Sequence, residues 1–174
     1  MINKMKHSQA GFTLIELLLY AGIVAIMTTA ISGLLALSLQ ARVKNQVVES
    51  VESGSTIAMD SMLAAIRNSD GVTLTTDGNG DAIVTLAETV AGVHPTVFQL
   101  SAGVLTKKEG SSAAVPVTSS NIVIDHFTAT DTTPSGETMQ VISLGFDVRY
   151  NNQSPRQEYQ YAATYNGTAQ LNTP

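Results

Sequence analysis

Few side chains in this 174-residue chain are placed to do chemistry. Glu16 stands alone: between Phe12 and Ala41, 21 of 30 residues are apolar and Glu16 carries the only charge. Asp77-Gly78-Asn79-Gly80-Asp81 offers oxygens at alternate positions, the pattern by which a loop wraps calcium. Glu88 falls at the twelfth-position offset of an EF-hand, but Ala82 replaces the usual sixth-position Gly and the flanks read as strands. A hairpin turn is the favoured reading, and Asp77, Asn79 and Asp81 are a weak calcium set. His94 precedes Pro95 in a turn and His126 lies in a strand among apolar residues. Neither has a ligand set beside it, so structural roles are expected.

Other chemistries find no support. With no Cys, disulfides, Fe–S clusters, thiolate zinc sites and Cys nucleophiles are excluded. No nucleophile elbow, phosphate loop or catalytic carboxylate pair is present, and Gly78-Asn79-Gly80 lacks the third Gly of a nucleotide fingerprint. Asn152-Gln153-Ser154 and Asn166-Gly167-Thr168 are sequons, the first disfavoured by Pro155. Nine Lys and Arg against fourteen Asp and Glu give a formal charge of −5, which does not indicate a nucleic-acid partner.

The element that must carry Glu16 is long and greasy. Leu17 to Ala41 holds no charge. As a helix it spans roughly 37 Å, enough to cross a ~30 Å hydrocarbon layer with some tilt. A buried core helix is the alternative, odd for a chain this small. Gly22 and Gly33 are its soft points. Ahead of it, Met1 to Gly11 is short and polar, with Lys4 and Lys6. That order is wrong for an ordinary secretory signal, whose small-residue cleavage site comes after its apolar region. Lys4 and Lys6 on one side and Arg42 and Lys44 on the other leave orientation undecided. A carboxylate drawn to the bilayer centre costs up to roughly 2.5–3.5 kcal/mol. Glu16 is therefore either a snorkelling flank residue or a charge awaiting a positive partner.

The run Gly11-Phe12-Thr13-Leu14-Ile15-Glu16-Leu17-Leu18-Leu19 resembles the processing motif of type IV pilins and type II secretion pseudopilins. The resemblance covers residues 1–41. It implies that a membrane prepilin peptidase/methyltransferase cuts between Gly11 and Phe12 and methylates the new Phe12 amine. It implies that Glu16 pairs with the Phe12 amine of a neighbouring subunit during assembly and sets axial register. The motif's usual helix-kinking Pro is missing from the apolar segment, and Gly33 lies near its place. Some pseudopilins bind calcium, which assigns no residue here.

Beyond Arg42 the helical period continues but becomes one-sided. Val43, Val47, Val51, Ala58, Met62 and Ile66 form a stripe to Asn68, with Ser53-Gly54-Ser55 as a weak point and Gly71 as a candidate C′ residue. The period then becomes two. Strands are expected at Val72–Thr76, Ala82–Leu86, Thr96–Ser101, Val104–Lys108, Asn121–Thr130, Glu137–Tyr150 and Gln157–Tyr165. The last two should form a hairpin, turning at Asn151–Pro155 and holding the core against the helix. Ser101-Ala102-Gly103 is a short turn.

The fold class is α+β, one long helix on a mainly antiparallel sheet, the layout of pilins. The divisions are a leader at 1–11, a transmembrane or filament-core helix at 12–41, a docking helix at 42–69, a β-rich head at 70–165 and a frayed polar tail at 166–174. The expected protein is a prepilin, minor because the head departs from the disulfide-closed loop of many major pilins. It would sit in the cytoplasmic membrane with its head outside. A platform protein and an assembly ATPase would move it into a pilus or pseudopilus beside other subunits. It is expected to catalyse nothing and to need no cofactor, calcium aside. The alternative is a single-pass anchored extracytoplasmic binding domain that forms no filament. The residues do not separate adhesion, motility, DNA-uptake and secretion systems.

Overall fold

A computed structural model describes residues 12–87, 94–137 and 139–171. One helix, α1 (Leu14–Arg67, 54 residues), is followed by strands only, apart from one 3-10 turn. The chain divides into two compact units, Met1–Arg42 and Val43–Pro174, and α1 contributes to both.

In the first unit, every residue from Phe12 to Arg42 is exposed. The helix starts at Leu14, not Phe12, because Thr13 caps it. Thr13 Oγ1 accepts from the Glu16 N–H at 3.3 Å, and Thr13 O accepts from Glu16 N and Leu17 N. Three hydroxyls inside the apolar run are satisfied locally. Thr28 Oγ1 donates to Val24 O, Thr29 Oγ1 to Ala25 O and Ser32 Oγ to Thr28 O, at 2.8–2.9 Å. Such back-bonding lets a polar residue sit where water is missing.

In the second unit, α1 buries Val47, Val51, Ser55, Ala58, Met59, Met62, Leu63 and Ile66. The expected stripe is buried from Val47 onward, and Ser55 fills the gap between Val51 and Ala58. Met59 and Leu63 widen it. The stop differs from expectation: Gly71 opens a strand and is not a left-handed cap. The helix closes instead through Asn68 N to Ala64 O and through Ser69, whose N–H and Oγ both donate to Ile66 O.

The β-region is two antiparallel sheets rather than one. The first runs β1 (Gly71–Thr76), β2 (Ala82–Ala87), β3 (Thr96–Ser101), β4 (Val104–Glu109), β5 (Val115–Pro116), in that order. The second is β6 (Ile122–Asp131), β7 (Val141–Tyr150), β8 (Ala162–Gln170). The two-residue β5 escaped the sequence reading because so short a strand leaves no periodicity. At the Ala102-Gly103 turn Gly103 has φ +78°, and its O accepts from Ile124 N, tying the first sheet to β6. A Cβ at Gly103 would also lie 2.7 Å from Val123 Cγ1.

The core joins both sheets to α1. Phe98, Phe127 and Phe146 are buried with Met62, Ile66, Leu86 and Leu105. In β7 the alternation holds: Ile142, Leu144, Phe146 and Val148 are buried, Asp147 and Arg149 exposed. Phe146 pairs across with Phe127 and Tyr165, and its ring stacks on Tyr165 with centroids 5.9 Å apart.

Three boundaries need correction. The strand expected from Glu137 begins at Val141, because the Asp131–Thr133 turn hands over there, Thr132 N donating to Val141 O. The strand expected at Gln157–Tyr165 opens as a 3-10 turn, Gln157–Tyr159, and the strand itself starts only at Ala162. The tail expected from Asn166 is strand to Gln170, with Ala169 and Leu171 buried. A Cβ at Gly167 would lie 2.8 Å from Met59 Sδ and 2.9 Å from Leu63 Cδ1, so this Gly is what lets β8 approach the helix. Residues 172–174 lie outside those described.

Candidate functional site: the N-terminal motif

Phe12 and Thr13 precede the helix and both are exposed, Phe12 at 74 %. The Phe12 ring lies edge-on against Tyr20, centroids 6.1 Å apart and planes at 71°. Glu16 occupies the first turn of α1 and is exposed. A carboxylate is favoured there because the first-turn N–H groups give a helix start partial positive charge. Thr13 and Glu16 thus stand as the two ends of a capping box, with the Thr half formed. Gly11, the other side of the expected cut, lies outside the described residues.

The helix surface beyond Glu16 is more unusual than Glu16 itself. Leu17, Leu18, Leu19, Ile23, Val24, Ile26, Met27, Ile31, Leu34, Leu35, Leu37 and Leu39 are all exposed. Burying one such side chain is worth about 1.5–3 kcal/mol, and none of the described residues covers them. The segment is long and apolar enough to cross a membrane, with a mean hydropathy of 2.1. The sequence reading passed over Thr28, Thr29 and Ser32; the signal was there, since each has a carbonyl four residues back.

The other chemistry-bearing residues lie in the second unit. The Asp77–Asp81 segment is the β1–β2 hairpin turn, as expected. Asp77 Oδ1 accepts from Asn79 N (2.8 Å) and Asp81 N (2.9 Å). Asp81 Oδ1 is 2.9 Å from His126 Nδ1 and accepts from Phe127 N at 2.9 Å. These carboxylate oxygens lock the hairpin to β6, at a bulge between Ile124 and His126. His126 is therefore a half-exposed partner of Asp81, not a residue enclosed by apolar neighbours. Glu88 lies outside the described residues. Among the described residues no cluster of three or more His, Asp or Glu could hold a metal. Asn152 Oδ1 accepts from Ser154 N in the β7–β8 connection, and Asn166 is in β8.

Comparison with known proteins bears on the N-terminal unit. No match is found among curated proteins or among solved structures. One family description matches, the prokaryotic N-terminal methylation motif, over residues 6–38. It spans the expected cut, Glu16 and most of the exposed apolar helix, and it stops before the second unit begins. With a long apolar helix and antiparallel sheets behind it, this chain carries a prokaryotic N-terminal methylation motif, which supports the resemblance to type IV pilins and pseudopilins.

Proposed function

We propose that this chain is a prepilin, a structural subunit and not an enzyme, cut between Gly11 and Phe12 and N-methylated on Phe12 by a prepilin peptidase. The observation that carries this reading is the complete exposure of Phe12–Arg42 on a helix whose residues are mostly apolar. Such a surface needs cover from outside the chain. Lipid supplies it before assembly, with the head on the extracytoplasmic side of the cytoplasmic membrane. Sister helices supply it afterwards, in a pilus or pseudopilus built by a platform protein and an ATPase.

Glu16 then acts through charge. Packed apolar helices exclude water, and an unpaired carboxylate among them is costly. The Phe12 ammonium of a neighbouring subunit neutralises it only at one axial offset, so the pair fixes register more than it adds stability. Minor status fits a head without a disulfide-closed loop.

Mass spectrometry of the mature N-terminus tests the processing step. The expected product begins at Phe12 and is one methyl group heavier than the bare sequence. A product beginning at Met1 removes the reading in favour of an anchored domain. Glu16→Gln tests register: it should be cut normally yet enter filaments poorly. Incorporation equal to wild type ends the register role.

A further inference from the structure

The β7–β8 connection folds back on its own strands and leaves an open cavity of about 500 Å3. Tyr150, Tyr159 and Tyr161 line it, together with Arg149, Gln153 and Gln160. All three are half-buried, and Tyr150 and Tyr161 also pack against the core. Their placement is fixed from several sides. Tyr150 ends β7 and its N–H donates to Tyr161 O at 3.0 Å. The 3-10 turn brings Tyr159 onto Tyr150, rings stacked with centroids 6.4 Å apart and planes at 16°. Tyr161 is held by α1: Lys44 Nζ sits 5.4 Å from its ring centroid and donates to Gln160 O at 2.8 Å, and the Tyr161 hydroxyl donates to Glu52. The cavity is thus preformed, as small-molecule sites usually are.

Its chemistry is selective. The one formal charge in the lining, Arg149, already donates from Nε to Asp125 Oδ1 at 2.8 Å, so the site is close to neutral. A purely aliphatic ligand would strand the amides and the guanidinium. A polyanion would meet a chain of formal charge −5. Flat phenol rings beside groups that both donate and accept suit a ligand with one apolar face and a polar rim. A pyranose has that anatomy: C–H groups on a face, hydroxyls around the edge.

We infer that the cavity bounded by Tyr150, Tyr159, Tyr161 and the β7–β8 connection is a binding site for a neutral sugar ring. It is a property of the head alone and does not depend on filament assembly. The aromatic faces carry the C–H surface, and Gln153, Gln160 and Arg149 reach the hydroxyl rim.

The chain has five Tyr and no Trp, so tyrosine-selective NMR reads the site directly. The full chain, held in a zwitterionic detergent without a sugar head group, is titrated with methyl β-D-glucopyranoside, methyl β-D-galactopyranoside and N-acetylglucosamine. Glycerol serves as the acyclic control. The expected result is that at least one sugar shifts Tyr150, Tyr159 and Tyr161 while Tyr20 and Tyr165 stay in place, with a Kd of about 1 mM. Tyr159→Ala should weaken it by about tenfold or more. Gln153→Ala, at an exposed position that leaves the fold alone, should weaken it about threefold or more. Absence of shifts at the three tyrosines with every sugar overturns the inference. So does an equal response to glycerol, or an affinity that Gln153→Ala leaves unchanged.

Discussion

The two halves of α1 treat their apolar residues in opposite ways. From Val47 to Ile66 most apolar positions fall on one buried face, with Ile57 exposed outside it, and charged residues such as Glu49, Glu52 and Asp60 occupy the rest. From Leu14 to Leu39 apolar residues surround the axis and all of them are exposed. A one-sided stripe specifies a partner within the same chain; an all-round apolar surface specifies one outside it. The same helix therefore serves as a core element in one unit and as an unpartnered surface in the other.

The strongest test of that contrast removes one large side chain from each region. Phe146→Ala deletes a buried ring between Phe127 and Tyr165 and should cost the head about 3–5 kcal/mol, much of a typical domain's stability. Leu35→Ala removes a side chain 60 % exposed and should move head stability by no more than about 0.5 kcal/mol. Denaturant unfolding of the full chain in detergent, followed at the head tyrosines, compares them. Equal losses from the two variants would erase the distinction between the regions.

How much was legible in the sequence divides along the same line. The motif around Gly11, Phe12 and Glu16 is local, so adjacent residue types announced it without tertiary information. The stripe on α1 and the alternation of Ile142, Leu144, Phe146 and Val148 were legible because one buried face leaves a period. The end of β8 was not. Asn166-Gly167-Thr168 reads as polar loop, and only its pairing with Ser143–Gly145 of β7, with Gly167 close against Met59 and Leu63 more than a hundred positions earlier, makes it a strand. Tyr159 misled for a related reason: it kept the alternation of a strand while sitting in a 3-10 turn, held by Tyr150. The way the two sheets are tied together, through the Gly103–Ile124 bond and the Asp81–Phe127 bond, leaves no periodic trace.

Gly167 sharpens the contrast on the head side. Gly167→Ala places a methyl against Met59 Sδ and Leu63 Cδ1 and should cost about 1–3 kcal/mol by overpacking. Adding Met59→Ala makes room for that methyl, so the double variant should lose less than the sum of the singles. Strict additivity in the double-variant cycle would mean that β8 does not bear on α1 there. Gly33→Ala on the other half of the helix is the matched control. A Cβ at Gly33 has nothing within 4 Å, and head stability should not fall.

The smallest expected effect is electrostatic and separates the halves by pH. Asp131 is fully exposed where β6 ends. The Thr133 hydroxyl donates to it first of all, then the Thr133 N–H at 2.9 Å and Gln140 Nε2 at 3.4 Å, and these hold its carboxyl below the usual 3.8. Gln140 also accepts from Val72 N through Oε1, and its backbone O accepts from Leu171 N, so the cluster joins β1 to the end of β8. The folded state gives up this proton more readily than the unfolded chain. Its contribution is therefore present in full above the usual carboxylate value and disappears as pH falls through the lower folded value. Asp131→Asn keeps an acceptor for Thr133 and removes the charge. The variant should melt slightly below wild type at neutral pH, by less than the Gly167 change, and the gap should close on acidification below pH 3.8. A gap that persists unchanged into acid would assign the difference to lost hydrogen-bond geometry rather than to charge.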